Sequence, residues 1–498
     1  MYQHAKSCVT LDNNISTFFS CDTGVRQGEN LSPILFAIYL NDFKEALGHF
    51  YTGLTKLTDE IAQEMEVFFK LYTLLYADDT IIMAESADEL QKGLNALHDY
   101  CEKWSLKVNL DKTKIIIFSR GKVRKFPDFH LNGYPVEVVE QYTYLGVIFT
   151  FNGNFSKAVN KQITQAKKAM FSLLEKAKIL KLPLDITCDL FDKVVLPVLI
   201  YGSEVWGFTN VKGIEIFYRN FLRILLKTQK YTPNCMVYGE TGTTDVATKI
   251  TNRMVLFWAK LKFSKQEKLS STLTNFMSIL QTKNPTQYDF KWLNHIKMCL
   301  DNCGFSWVWD AQNLELNLFK EVFKQRCKDI FKQKWCDDLS TNSQCTYYRK
   351  CKNEHEFEKF IIDLDPMHAL SLVKFRTRSH QLPVTKKRFN ADSTDILVDC
   401  PLCPSNEEGD EFHYLFNCAY FASERKKLLP PNFQRFANDE NLSELFLQDH
   451  NTLTKLAKFT KLVMSKFKFK KEKQNETYKK IKTTRTGRKI ISPIRLDL

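Results

Sequence analysis

Two groups of residues in this sequence have the types and spacing that chemistry requires. The first is Asp78 and Asp79 in "LLYADDTIIMAES", Leu74 to Ser86, two adjacent carboxylates between short apolar runs. Paired carboxylates in a run this apolar call for an explanation. The plainer reading is that Asp-Asp supplies turn chemistry, since Asp favours turns and tolerates left-handed backbone. The second group is Cys400, Cys403, His413 and Cys418 in "CPLCPSNEEGDEFHYLFNC", spaced C-x2-C-x9-H-x4-C. Two thiolates on a short knuckle, then His and Cys about one helical turn apart, can close a tetrahedral zinc site. The plain alternative is a set of reduced structural cysteines.

The flanking sequence must position these groups. Leu74 to Ala77 and Ile81 to Met83 are β-prone, which puts the aspartates at the turn between two strands. Ser86 and Glu89 form an S-x-x-E capping box, and Leu90, Leu94, Leu97, Cys101 and Trp104 follow at helical spacing. Upstream, "GVRQGENLSPILFAIYLNDF" predicts a loop at Gly24 to Gly28 and then a helix, with Ser32 at the N-cap and Pro33 at the first helical position. Ile34, Leu35, Ile38 and Tyr39 give that helix one apolar face. Arg26 beside the helix start makes a place that favours an anion. Downstream, Ile115 to Phe118 reads as a buried strand, Asn132-Gly133 as a hairpin turn and Tyr144 to Thr150 as another strand. Ahead of all these, Asp12-Asn13-Asn14 reads as the turn of a further strand hairpin. The order predicts an α+β fold, an antiparallel sheet with helices packed on one side.

Charge adds a separate clue. The formal net charge is +14, but residues 451–498 hold 15 Lys+Arg against 3 Asp+Glu, and the other 450 residues hold 56 against 54. The excess therefore sits in a C-terminal tail. It reads either as a general nucleic-acid contact or as a solvated tail or nuclear-import signal. Phe467 and Phe469 alternate with lysines there, where they could stack on bases. Arg376, Arg378, Lys386, Lys387 and Arg388, just before the Cys/His segment, are expected to face phosphate. Trp307 and Trp309 read as core rather than base platforms. There is no run of 18 uncharged apolar residues, so no membrane partner is expected, and the start lacks a signal peptide's apolar core. Fourteen scattered cysteines without an export signal point to a reducing compartment, nuclear and/or cytoplasmic.

"GVRQGENLSP", "YADD", "NLDKTKIIIF" and "YLGV", in this order, resemble the later motifs of reverse transcriptases, most closely those of non-long-terminal-repeat (LINE-type) retrotransposons. "FDKVVLPVLIYGSEVWG", Phe191 to Gly207, resembles the helical thumb that follows the palm in that family. The resemblance implies an RNA-directed DNA polymerase using two divalent cations, Mg2+, to stabilise the attacking and leaving oxygens. RNA template and DNA primer would be its partners. Asp78 would be the shared metal ligand and Asp79 its less direct partner, with Tyr76 and Ala77 near the primer end. Arg26, Gln27 and Gly28 would contact nucleotide and template, and Ser32 would cap the helix behind them. Lys112 or Lys114 would protonate the leaving pyrophosphate, and Tyr144, Leu145 and Gly146 would grip the primer. C-terminal CCHC knuckles binding Zn2+ also occur in LINE-type proteins, in association with nucleic acid.

One departure matters. The family places a third carboxylate on an earlier strand, and no Asp here stands in that context. The sequence thus reads as the C-terminal portion of a reverse transcriptase, with the fingers and first catalytic-Asp motif missing and no activity expected alone. The alternative is a non-catalytic nucleic-acid-binding remnant acting through knuckle and tail. The expected organisation is a partial palm over 1–150, thumb-like helices over 151–230 and a helical connecting region over 231–395. A CCHC zinc knuckle over 396–420, a helical segment over 421–465 and a basic tail over 466–498 complete it.

Overall fold

The structure, a computed structural model, describes residues 6–467 except 13, 21–23, 25–28, 44–72, 77–78, 120, 122–125, 265–267, 353, 389–397, 432–441 and 443. Asp78, Ala77, Arg26, Gln27, Gly28 and Phe469 lie outside the described residues, as do the side chains of Tyr76, Lys386, Lys387 and Arg388. The chain divides into two compact units, residues 1–154 and 155–498.

In the first unit, β1 (Lys6–Ser7) pairs with β4 (Phe19–Ser20), and between them β2 (Thr10–Leu11) pairs with β3 (Asn14–Ile15) around Asp12. Helix α1 spans Ser32–Tyr39. Strands β5 (Thr73–Tyr76) and β6 (Asp79–Ile82) form an antiparallel hairpin, and helix α2 covers Ala87–Lys103. Two more hairpins follow, β7 (Phe129–Leu131) with β8 (Tyr134–Val136), and β9 (Gln141–Tyr144) with β10 (Val147–Thr150).

Helix α2 forms for the reasons its sequence gives. Ser86 accepts from the Glu89 N–H at 3.2 Å, Asp88 and Glu89 sit in the positive first turn and Lys103 in the last. The Glu89 carboxylate reaches back to the Glu85 N–H (3.3 Å), one residue before the usual capping-box partner. The buried face of α2 meets Ile115, Phe129, Leu131 and Val136 through Leu94. Its Gln91 amide both donates to His130 O (2.7 Å) and accepts from His130 N (3.0 Å), tying the helix to β7.

Several expectations change. The strands of the described residues pair as separate hairpins, not as one sheet. Ile115 to Phe118 makes a single bridge, Ile115 to Val138; Ile115 and Ile117 pack into the α2 core, whereas Phe118 is exposed. Tyr144 to Thr150 is not one strand: Leu145 and Gly146 both take positive φ (45° and 81°), a two-residue turn that reverses the chain between β9 and β10. Asn132-Gly133 turns the same way, as the sequence predicts (50° and 74°). Helix α1 begins at Ser32, so Leu31 and not Ser32 is its N-cap. Its Ile34 and Ile38 are exposed, so the apolar face is not buried among the described residues. What anchors the end of α1 instead is aromatic: Phe43 packs edge-on against Tyr100, and Tyr39 donates to the Trp104 carbonyl.

The second unit is helical throughout: α3 (Ser156–Ile179), α4 (Leu184–Leu190), α5 (Leu196–Leu199), α6 (Ser203–Trp206), α7 (Lys212–Leu226), α8 (Asn234–Thr241), α9 (Val246–Lys262), α10 (Leu269–Lys283), α11 (Lys291–Asn302), α12 (Ser306–Asp310), α13 (Leu316–Thr341), α14 (Thr346–Cys351), α15 (Lys359–Asp363), α16 (Pro366–Arg376), α17 (Ala422–Leu428) and α18 (His450–Lys466). The stretch Phe191 to Gly207 is helical but broken. Pro197 cannot donate to the carbonyl four residues back. The preceding turn, Phe191–Val195, winds as a π-helix in which the Leu196 N–H reaches Phe191 O. That turn aims Phe191 into the core, stacked 3.8 Å from Phe221 of α7. Trp309 stacks on the buried Trp258 at 5.3 Å, as core, whereas Trp307 is exposed.

Candidate functional site

The β5–β6 register pairs Tyr76 with Asp79, so Asp79 opens the returning strand. Asp79 is exposed. The hairpin rests on α2 where that helix has no side chain: a Cβ at Gly93 would lie 3.1 Å from Ile82 Cγ2. Position 93 must stay small for β6 to lie this close.

Lys112, Lys114, Gln141, Tyr142 and Thr143 line a cleft of about 380 Å3 beside the β9–β10 hairpin. Tyr142 donates its hydroxyl to Lys112 O at 3.1 Å, which joins the lysine segment to β9. Lys114 is paired with Glu137 at 2.8 Å. Tyr144 is half-buried, and Leu145 and Gly146 project at the turn. The structure therefore brings the lysines and the hairpin strand to one cleft. Among the described residues it gathers no group of three potential metal ligands at Asp79.

It does gather such a group in the second unit. The donor atoms of Cys400, Cys403, His413 and Cys418 all lie within 4.8 Å of one another. Cys400 Sγ is 3.8 Å from Cys418 Sγ, and Cys403 Sγ is 3.4 Å from His413 Nε2. Zinc bond lengths give tetrahedral edges of about 3.8 Å between sulfurs and about 3.6 Å between sulfur and nitrogen. The donor set fits Zn2+.

Backbone geometry makes this cluster. Asp399 bridges Glu408 antiparallel, and the Cys400 N–H donates to Glu407 O at 2.9 Å, closing the knuckle. Asp410 caps the next turn by accepting from the His413 N–H at 2.7 Å. His413–Asn417 then winds as a π-helix, with the Cys418 N–H on His413 O at 2.8 Å. The five-residue spacing is thus met by a π turn and not by the ordinary helical turn that the sequence suggests. A Cβ at Gly409 would meet Pro383 Cγ at 2.9 Å and the Tyr414 hydroxyl at 2.8 Å, so the loop closes only with glycine there.

Burial opposes the Cys403 thiolate, yet hydrogen bonds from Ser405 and the neighbouring thiols bring it down to about 6. Burial pushes the Cys418 thiol up to about 12. Three thiolates cannot share this space without a metal charge among them.

Sequence reasoning missed several residues here. The Glu407 carboxylate accepts from His413 Nδ1 at 2.6 Å. Arg425 of α17 donates to the carbonyls of Leu415 (2.7 Å), Cys418 (2.9 Å) and Tyr414 (3.3 Å), capping the ligand-bearing turn. Buried Glu411 accepts from Arg378 (2.9 Å) and lies 2.9 Å from His380 Nε2. This corrects the expectation for the basic segment. Arg378 serves Glu411, and Arg376 is buried in bidentate contact with Glu358 (3.0 and 2.9 Å), so neither faces phosphate. Phe467 likewise packs 5.1 Å from Tyr414 and not in a free tail. Asn406, with its positive φ, stands in the knuckle turn.

Residues 2–149 match the family model described as reverse transcriptase (RNA-dependent DNA polymerase). The chain is similar to the RNA-directed DNA polymerase from mobile element jockey of Drosophila melanogaster, 26% identical over 226 residues, 43% of this chain and 23% of that protein. It is also similar to the probable RNA-directed DNA polymerase from transposon X-element of the same species, 22% identical over 276 residues, 53% of this chain and 28% of that protein. A third relative is the retrovirus-related Pol polyprotein from type-1 retrotransposable element R2 of Popillia japonica, 26% identical over 197 residues, 37% of this chain and 29% of that protein. Residues 2–149 carry a reverse transcriptase domain similar to those of LINE-type elements. The match spans about a quarter of the length of these relatives. The reverse transcriptase match ends at residue 149, close to the unit boundary at 154, so the Cys/His cluster lies outside it.

Proposed function

We propose that the first unit supplies the late part of a polymerase palm, to residue 150, and that residues 151–230 form the thumb of an RNA-directed DNA polymerase. The observation that carries this reading is the β5–β6 hairpin, which pairs Asp79 with Tyr76 at the start of its returning strand, inside the matched segment. Asp78 and Asp79 would hold Mg2+, which stabilises the attacking and leaving oxygens of nucleotidyl transfer. Tyr76 and Ala77 would lie at the primer end, and Arg26, Gln27 and Gly28 at nucleotide and template. The Tyr144–Leu145–Gly146 turn would bear on the primer strand. Lys114 is engaged by Glu137, so the proton donor to pyrophosphate would be Lys112. RNA template and DNA primer are the partners, in the nucleus and/or cytoplasm.

Two adjacent aspartates cannot organise two cations by themselves. The 498-residue chain is therefore expected to extend no primer on an RNA template with Mg2+ or Mn2+. Fused to the early palm segment of a relative, it should gain template-dependent synthesis that Asp78→Ala abolishes. Synthesis by the chain itself would overturn the ligand count, and synthesis surviving Asp78→Ala would overturn the ligand assignment.

A second reading, nucleic-acid binding without catalysis, is favoured by the assembled Cys3His donors. Under it, Zn2+ held by Cys400, Cys403, His413 and Cys418 would shape a knuckle that contacts nucleic acid. Binding of single-stranded RNA would then fall in Cys403→Ser and persist in Asp78→Ala.

A further inference from the structure

We propose that Glu407 is the positioning residue of the Cys400–Cys403–His413–Cys418 site: its carboxylate decides which ring nitrogen of His413 faces the metal. The inference rests on reading that cluster as a zinc site.

A neutral imidazole carries one N–H and one bare nitrogen, and a metal takes the bare one. Glu407 Oε2 stands 2.6 Å from His413 Nδ1. An ionised carboxylate only accepts, so Nδ1 carries the hydrogen and Nε2 is left bare. Nε2 is the atom that points into the cluster, 3.4 Å from Cys403 Sγ. Were the hydrogen on Nε2, it would stand where the metal must bind.

Glu407 is itself fixed in place. Its carbonyl accepts from the Cys400 N–H (2.9 Å), its N–H donates to Ser405 Oγ (3.4 Å), and its Oε2 also accepts from Asn417 Nδ2 (3.4 Å). One residue thus links the strand of Cys400 to the turn of His413 and Cys418. Its side chain remains 48% exposed, so no core packing demands a carboxylate there. The carboxylate also makes the imidazole a stronger donor, an effect that elsewhere changes metal affinity by roughly 10–100-fold.

The test titrates Zn2+ against a chromophoric chelator on the reduced full chain, as wild type, E407A, E407Q and H413A. E407A should bind zinc roughly 10–100-fold more weakly. E407Q, near-isosteric and still able to accept from Nδ1–H, should recover part of the loss. The Co2+ form of E407A should keep the absorption of a three-sulfur, one-nitrogen site, whereas that of H413A should not. In the zinc-free chain, ring 15N shifts should report His413 as the Nδ1–H tautomer in wild type and not in E407A, a change that a merely structural role would not produce. If wild type holds one zinc and both Glu407 variants bind equally well, the positioning role is overturned and the metal reading stands. If the folded, reduced wild-type chain binds no zinc, the metal reading itself falls.

Discussion

Arg376 is the residue whose surroundings most constrain the second unit. It is 1% exposed, paired with Glu358 and 3.3 Å from the fully buried Glu240, while Lys352 reaches Glu358 at 2.6 Å. A buried cation left without its partner is strongly destabilising, by about 3–5 kcal/mol, so Arg376 depends on Glu358. Burial dominates at Glu240 and raises its carboxyl from 4.5 to about 7, against the pull of Arg376. The folded state therefore holds this proton where the unfolded chain has released it. The contribution of Glu240 to stability is fully present below about 4.5 and is lost as pH rises through about 7. Chemical denaturation at several pH values should show that fall in wild type and lose it in Glu240→Gln, which is neutral throughout. An unchanged slope in the variant would mean that another group titrates.

At the level of elements, two close approaches carry the proposed sites. Helix α2 and β6 approach closely at Gly93, where a Cβ would lie 3.1 Å from Ile82 Cγ2. Gly93→Val should overpack that contact, cost roughly 1–3 kcal/mol and displace the strand that begins at Asp79. Thermal unfolding of the variant checks the first effect. The Cys/His loop is held differently, by donor chemistry and by Arg425 across the end of its π turn. Metal analysis of the purified chain should find one zinc, lost in Cys403→Ser. Because zinc binding free energy is folding free energy in such loops, a chelator should lower the unfolding temperature of wild type and leave Cys403→Ser unmoved.

Over the whole molecule, the excess positive charge is concentrated after residue 450. Helix α18 ends at Lys466, and Phe467 still packs on Tyr414, so residues 468–498 are the part to delete when testing the tail. They hold 11 Lys+Arg against 3 Asp+Glu. Each phosphate that the tail neutralises should add about 0.7–0.9 to the salt slope of nucleic-acid binding. Removal of 468–498 should flatten that slope and weaken binding to unrelated sequences alike. Coincident slopes for the full and shortened chains would assign the binding to the rest of the molecule.

Local rules in the sequence were enough for the features that depend on near neighbours. The β5–β6 hairpin, the Ser86 cap of α2, the Asn132-Gly133 turn and the four Cys/His donors each follow from spacing within about 20 residues. Steric and capping preferences act at that range, so they can be read from the chain alone. Tertiary structure decided what depends on distant partners. Ile115 found one bridge instead of a sheet, and the face of α1 stayed exposed. Arg376 and Arg378 met Glu358 and Glu411, residues 18 and 33 positions away, and so left the surface. Sequence gives such an arginine its charge. Whether that charge faces a phosphate or a buried carboxylate is set by which helices pack against it, since desolvation must be offset by whatever partner the fold brings near.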